Sequence, residues 1–199
     1  LNAIFALIGR LQQGSNLDQT LEFVAEEFAG LLPLDWVGVL FVIGNGNSIK
    51  LDRSYTEGQV EVAVRSYFPL PGTLLQQALR QGTPLHVADV PGTAAANPRY
   101  RFLAVLAERG MNAAIFLPVT SQSPVPGVLV VASRQAGAYT PEHLELLSNI
   151  AHLVSHSFGR TVRLADQSRL AAIGEFASGI AHEIRNPLAT IVLALDYFK

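Results

Sequence analysis

The amino-acid sequence predicts an α+β domain in which helices flank an antiparallel sheet, followed by a long C-terminal helix. Two pairs of strand-length segments, each joined by a short turn-forming stretch, are typical of β-hairpins. Helical patterns precede the first pair and separate it from the second, which disfavours a doubly wound βαβ sheet. After Pro141 the apolar residues keep helical spacing until Pro187.

The first elements are a helix and a hairpin. Apolar side chains at helical spacing predict the helix; they are Leu21, Val24, Ala25, Phe28, Leu31 and Leu32. Pro33 is expected to end it, because proline lacks the N–H that a continuing helix needs. Trp36–Ile43 predicts a strand, Gly44–Asn47 the turn, and Ser48–Tyr55 the partner strand.

The middle of the chain predicts a mainly helical insertion between the hairpins. Short helices are expected near Gln59–Tyr67 and Thr73–Gln81, with a strand at Pro84–Val90. Pro91–Pro98 is interpreted as a loop because proline, glycine and small residues dominate it. Tyr100–Arg109 predicts a further helix.

Two apolar strands complete the predicted sheet. They are Asn112–Thr120 and Gly127–Ser133, and the Pro- and Ser-rich segment Ser121–Pro126 predicts the turn between them. We place the first domain at residues 1–140.

The C-terminal part predicts a connecting helix at residues 141–169 and the first helix of a truncated second domain at 170–199. Two apolar series have helical spacing: Leu144, Leu147, Ala151, Val154 and Phe158, then Leu170, Ile173, Ala177, Ile180, Ile184, Leu188, Ile191 and Leu195. Such sustained stripes indicate pairing with a partner helix, so we expect a parallel coiled-coil homodimer. The change of phase near Asp166 is interpreted as a stutter.

Composition limits the possible classes of function. Hydrophobic residues make up 49% of the chain and charged residues 15%, as expected of a chain that buries a core. The net charge is −2 and lysine and arginine are not clustered, which disfavours nucleic acid as a partner. The sequence has no cysteine, which excludes disulfides, thiolate metal sites and sulfur-linked chromophores in this segment. We predict no metal site.

We expect a soluble, cytoplasmic piece of a longer protein that makes no membrane contact itself. The longest apolar run, Trp36–Ile43, is far shorter than the roughly 18 residues that span a bilayer. The absence of cysteine fits a reducing cytosol. The chain starts at Leu1 and its helical pattern is still running at Lys199, which we interpret as a fragment whose parent could carry membrane spans elsewhere.

The residues around His182 have the strongest chemical signal. At about 100° per residue, His182 lies about 180° from Ile173 and Ile191, so the imidazole faces away from the apolar stripe. Glu183 can accept the proton of one ring nitrogen and leave the other free as a nucleophile. Pro187 has no N–H to donate to the Glu183 carbonyl, so we expect a bend one turn past the histidine.

The segment Phe176-Ala177-Ser178-Gly179-Ile180-Ala181-His182-Glu183-Ile184-Arg185-Asn186-Pro187-Leu188 closely resembles the H-box of two-component sensor histidine kinases. The resemblance implies that His182 takes the γ-phosphoryl group of ATP, with Glu183 as the orienting base, and passes it to an aspartate of a response regulator. It also implies that Asn186 positions water for phosphatase activity. Mg·ATP would be held by an ATP-binding domain that nothing here resembles, so this fragment is expected to be inactive alone.

Residues 1–140 resemble a GAF domain more loosely, through Trp36–Ile43, Thr83–Val90, Leu117–Val119 and Gly127–Val131. A PAS-like sensor is the alternative. GAF domains hold a small ligand or chromophore between the sheet and its covering helices, or serve only to dimerise. Here the ligand is unknown. Candidate pocket residues are Tyr55, Tyr67, Phe68, His86, Arg99, Tyr100 and Phe102. His86 could ligate haem iron, although a single histidine in a strand is more often a hydrogen-bonded structural residue.

Two functions compete. In the first, the parent protein is an ATP-dependent protein-histidine kinase, controlled by a cytosolic signal through the GAF-like domain. In the second, the chain is a non-catalytic, dimeric GAF-type ligand-binding module and His182 lies in a helical connector. A haem or flavin sensor is a weaker third hypothesis.

Overall fold

The computed structural model describes residues 17–119, 126–151 and 155. The helices are α1 (Leu17–Phe28), α2 (Leu74–Gln81), α3 (Val90–Ala96) and α4 (Arg101–Glu108), and residues 141–151 form part of a further helix, α5. The strands are β1 (Trp36–Ile43), β2 (Ser48–Thr56), β3 (Gln59–Val62), β4 (Tyr67–Pro69), β5 (Leu85–Val87), β6 (Ala113–Val119) and β7 (Gly127–Ser133). The predicted α+β class and antiparallel sheet are confirmed.

The strands form one antiparallel sheet with the order β3-β2-β1-β7-β6-β5, and β4 pairs with the other end of β2. Strand β1 lies at the centre, between β2 and β7. Its apolar run has no break, because a strand with neighbours on both sides and helices on both faces meets little water.

The two faces of the sheet are covered by different helices. On the first face, Leu129 and Val131 of β7 pack with α1 and with Leu147 and Ile150 of α5. On the second face, Val128, Val130 and Ala132 pack with α2, α3 and α4. Strand alternation therefore separates a core beneath the terminal helices from a core beneath the inserted helices.

Most predicted elements are present close to their expected bounds. Strands β1 and β7 have the predicted limits, β2 is one residue longer, and α2, α4 and β6 are slightly shorter. Thr73 caps α2 by accepting a hydrogen bond from Gln76 N at 3.3 Å, and Gly82 ends the helix with φ 65°.

The predicted helix at Gln59–Tyr67 is wrong, because this segment forms β3 and β4. Glu57 and Gly58 have φ values of 51° and 82°, and Thr56 lies opposite Gln59. Positive φ at both central residues is typical of the two-residue turns that reverse a hairpin. The turn therefore continues β2 into another strand instead of a helix.

The predicted loop at Pro91–Pro98 is also wrong, because most of it belongs to α3. Asp89 caps this helix by accepting a hydrogen bond from Gly92 N at 2.9 Å. Pro91 lies in the first turn, where the missing N–H would have no intrahelical partner. This cap also explains why the strand predicted at Pro84–Val90 is only Leu85–Val87.

The first helix ends at Phe28 and not at Pro33. The N–H groups of Leu31 and Leu32 both donate to Phe28 O, at 2.9 and 3.0 Å, so the chain turns there. Leu31 is 53% exposed and does not belong to the apolar face as expected. The predicted turn at residues 121–125 and the helical stripe beyond 155, including its stutter, lie outside the described residues.

Gly38→Ala is expected to lower the free energy of unfolding by about 1–3 kcal/mol, as overpacking does in other cores. A Cβ at Gly38 would lie 2.1 Å from an atom of the buried Trp36 ring, so the indole would have to move. Urea denaturation followed by tryptophan fluorescence measures the change. Gly30→Ala is the control, since a Cβ there meets nothing within 4 Å. Equal stabilities of the two variants would contradict the prediction.

Candidate functional site

A cleft opens on the second face of the sheet, between α2 and α4. Its lining is largely apolar, with one arginine at the edge; the residues are Pro69, Thr73, Leu74, Leu75, Arg99, Tyr100, Phe102, Leu103 and Phe116. Strand β6 supplies Phe116, the two helices supply most of the walls, and the residues before α4 supply Arg99 and Tyr100.

Aromatic rings close the bottom of the cleft. The Phe102 centroid lies 5.2 Å from that of Phe68, 6.2 Å from Phe116 and 6.1 Å from Trp36, in tilted or edge-to-face arrangements. The space left for the centre of a water molecule is about 10 Å³, enough for about one water. A larger ligand would therefore have to move one of these rings or α4.

Asn97 and Gly72 hold the polar edge of the cleft in place. The Asn97 side chain accepts a hydrogen bond from Arg99 N at 3.0 Å, and its carbonyl accepts one from Tyr100 N at 2.9 Å. Gly72 has φ 73°, and a Cβ there would lie 3.2 Å from Arg99 Nη1. Glycine at position 72 therefore permits the turn and leaves room for the guanidinium beside the backbone.

An open depression of about 370 Å³ adjoins the cleft, and we call it the outer depression. Its lining is Gly72, Thr73, Gln76, Gln77, Arg80, Gln81 and Tyr100. Thr73 and Tyr100 line both spaces. Neither Arg80 nor Thr73 is among the pocket residues predicted from the sequence. Thr73 caps α2, and Arg80 follows Thr73 by about two helical turns.

The pocket candidates chosen from the sequence do not form a single site. Tyr100 lines the cleft with Arg99 and Phe102, and Phe68 packs against Phe102. Tyr67 is 55% exposed. Tyr55 lies opposite Val37, and its side chain packs on the first face. Burial, with a smaller effect of Glu26 and Glu22, raises the Tyr55 pKa.

His86 also lies on the first face, beside the start of α5. Its ring centroid is 5.9 Å from that of Tyr139, which in turn lies 6.4 Å from His143. His86 Nε2 and the Tyr139 hydroxyl are both buried, and neither has a hydrogen-bond partner within the described residues. Burial, with a smaller effect of Asp35, raises the Tyr139 pKa. This placement separates His86 from the cleft and associates it with the base of α5.

The neutral form of His86 is expected to stabilise the fold. Burial lowers the His86 pKa below its ordinary value of 6.5, because the charged ring loses hydration. The unfolded chain takes up a proton as pH falls through 6.5, whereas the folded chain does so only at lower pH. The contribution of neutral His86 to the free energy of unfolding is therefore fully present above pH 6.5. It is lost as the pH falls from 6.5 towards the pKa of His86 in the folded chain.

Urea denaturation between about pH 7.5 and about pH 5.5 measures this dependence. His86→Phe should flatten it, and NMR titration should find the His86 pKa below that of an unfolded peptide. A His86 that titrates above 6.5 would contradict the burial argument.

The predicted phosphotransfer residues His182, Glu183 and Asn186 lie outside the described residues. Their roles stay predictions from the sequence. Within the described part of the chain, no helix is both long and apolar enough to cross a membrane.

A family model described as GAF domain matches residues 14–158. The chain belongs to the GAF domain family. The described architecture agrees with this assignment, which sets aside the PAS-like alternative. No curated protein matches the chain.

Several solved structures share the GAF fold at low sequence identity. One is a free methionine-R-sulfoxide reductase from Neisseria meningitidis in complex with its substrate, with TM-score 0.61 and 17% identity over 81% of this chain and 89% of that one. The GAF domain of an Acinetobacter phosphoenolpyruvate-protein phosphotransferase has TM-score 0.59 and 16% identity, covering 81% and 93% of the two chains. The GAF domain of a two-component sensor histidine kinase from Bacillus halodurans has TM-score 0.51 and 19% identity, covering 83% and 96%. At such identities these likenesses show the fold alone.

Proposed function

We propose that this chain is the sensory and phosphoacceptor part of a two-component histidine kinase, in which the GAF domain controls ATP-dependent phosphorylation of His182. The observation that carries the proposal is the H-box-like segment Phe176–Leu188. It contains His182, Glu183, Asn186 and Pro187 in the same order as the H-box that it resembles.

The chemistry of this segment supports the proposal. The helical spacing predicts that the imidazole faces away from the apolar stripe, where a separate ATP-binding domain and a response regulator could reach it. Glu183 would accept the proton of one ring nitrogen as the other attacks the γ-phosphorus, and the Pγ–O bond would break to release ADP. Mg²⁺ bound with the nucleotide would supply charge neutralisation for the leaving ADP. Asn186 would later orient water against the regulator's phosphoaspartate.

The position of α5 supports a connection between the sensor and His182. Leu147, Ile150 and Ala151 pack into the core of the first face, so the start of the helix is anchored to the sheet. Tyr139 and His143 hold its first turn beside His86 of β5. Rearrangement on the second face would alter the sheet on which α5 rests, and a parallel homodimer would carry the change along paired helices.

The fold of the Bacillus halodurans domain provides a precedent, since that GAF domain is described as part of a two-component sensor histidine kinase. In this proposal the parent protein is cytoplasmic in its sensory part, and its partners are a second copy of itself and a response regulator. Mg·ATP is bound by a domain of the parent outside this chain.

Phosphotransfer tests the proposal directly. The chain is incubated with Mg·[γ-³²P]ATP and the ATP-binding domain of its parent protein, and acid-labile, alkali-stable label on the chain is the expected result. An ATP-binding domain that labels its own full-length kinase but never this chain would overturn the proposal. The remaining function would then be a non-catalytic, dimeric GAF-type ligand-binding module.

A further inference from the structure

We propose that the cleft and the outer depression together bind a small organic anion, with its charged group at Arg99 and Arg80 and its apolar part against Phe102 and Leu75. This inference rests on the proposed sensory function of the GAF domain and names the chemical class of its ligand.

The charge of the lining is the first argument. The residues that line the two spaces include two arginines and no aspartate or glutamate. The chain as a whole has 16 acidic and 14 basic residues, so this local excess of positive charge does not follow from composition. A cationic group beside an apolar cleft favours a ligand that carries negative charge.

The two arginines of the lining are not held in ion pairs. Three other arginines in the described part of the chain are: Arg53 with Asp18, Arg109 with Glu61, and Arg134 with Glu57. Arg65 and Arg101 also have no ion pair among the described residues, but they line neither space. Arg99 and Arg80 have no carboxylate within ion-pair distance among the described residues. Their guanidinium groups are therefore available to a ligand.

The position of Arg99 suits recognition of a carboxylate or phosphate. The turn at Asn97 fixes its backbone, and Gly72 leaves free the space in which a Cβ would lie 3.2 Å from Arg99 Nη1. A planar guanidinium binds such groups with two parallel hydrogen bonds. Tyr100 lines both spaces, and a tyrosine hydroxyl can donate a further hydrogen bond to an anion.

The volumes limit the size of the ligand. The outer depression, at about 370 Å³, has room for a charged group beside Arg80, and Arg99 lines the adjoining cleft. The cleft has room for about one water as it stands, so the apolar part must be short or must displace the Phe102 ring. Displacement of Phe102 would change its ring contacts with Phe116 and Trp36, which lie in the sheet.

Isothermal titration calorimetry on the whole chain tests the class of ligand. The probes are three carboxylates, 4-phenylbutyrate, indole-3-acetate and hexanoate, each paired with its neutral primary amide. We expect at least one acid to bind about tenfold or more tightly than its amide, since a hydrogen bond to a charged group is stronger than a neutral one. The Trp36 fluorescence should change on binding of 4-phenylbutyrate or hexanoate.

Charge-removing variants locate the effect. Arg99→Gln and Arg80→Gln should each reduce the preference for the acid, and the double variant should abolish it. Arg99→Lys should restore part of it, because the charge returns without the planar fork. Arg65→Gln is the matched control, since this exposed arginine lines neither space. Circular dichroism verifies that each variant folds.

The possible outcomes separate this inference from the proposed function. Equal binding of acids and amides, or an acid preference that survives in the double variant, would overturn the anion assignment and leave a neutral-ligand sensor. Failure of all six probes to bind would also overturn it. Neither result changes the expected labelling of His182. That labelling tests the proposed kinase function independently of ligand binding.

Discussion

Replacing His182 by glutamine is expected to abolish all acid-labile phosphate on the chain when the parent ATP-binding domain and Mg·ATP are supplied. Glutamine keeps a polar side chain but has no nucleophilic ring nitrogen, so the phosphoramidate bond cannot form. The loss should be complete and not partial. The measurement is retention of ³²P after alkali and its release by acid.

Neighbouring variants show whether the loss is specific. Glu183→Gln should slow labelling by about 10²-fold or more, the usual contribution of an acid–base group, without removing the acceptor. Asn186→Ala should leave labelling intact and slow dephosphorylation of the regulator. His156→Gln, another histidine of the same chain, should change neither. Label that persists in His182→Gln but disappears in His156→Gln would show that His156 is the phosphoacceptor and that the prediction for His182 is wrong.

The central strands could be predicted because their environment leaves a simple pattern. Strands β1, β6 and β7 are buried over most of their length, so almost every position is apolar. The edge strand β3 could not, although the other edge strand, β5, lies within the predicted strand Pro84–Val90. Strand β3 has a mixed pattern, with Val62 63% exposed, and its conformation depends on the Glu57–Gly58 turn and on pairing with β2. Such pairing is a tertiary contact, and local periodicity does not encode it.

The division of the pocket candidates between two faces could not be predicted either. Tyr55 lies opposite Val37 and His86 lies opposite Ile115, which places both on the first face. A register shift of one residue would have placed them on the cleft side. Register is set by the turns and bulges of the folded sheet, including the irregularity between Val39 and Leu40, and not by the composition of either strand.

Phe116→Ala is expected to lower the free energy of unfolding by about 3–5 kcal/mol, as large-to-small aromatic substitutions do in other cores. Phe116 is 1% exposed, lies in β6 between β5 and β7, and packs against Phe102. Such a loss is a large fraction of the 5–15 kcal/mol that typical domains possess. Urea denaturation followed by the fluorescence of Trp36, the one tryptophan in the chain, measures it.

Two further variants separate a cavity effect from a general loss of apolar surface. Phe116→Leu should lose clearly less stability than Phe116→Ala, because leucine fills more of the space beneath the cleft. Val62→Ala, at an exposed position of the edge strand, should stay within about 0.5 kcal/mol of the parent chain. If Phe116→Ala were as stable as Val62→Ala, the aromatic cluster would not hold α4 on the sheet. The proposed effect of rearrangement on the second face on the sheet beneath α5 would then lose its structural basis.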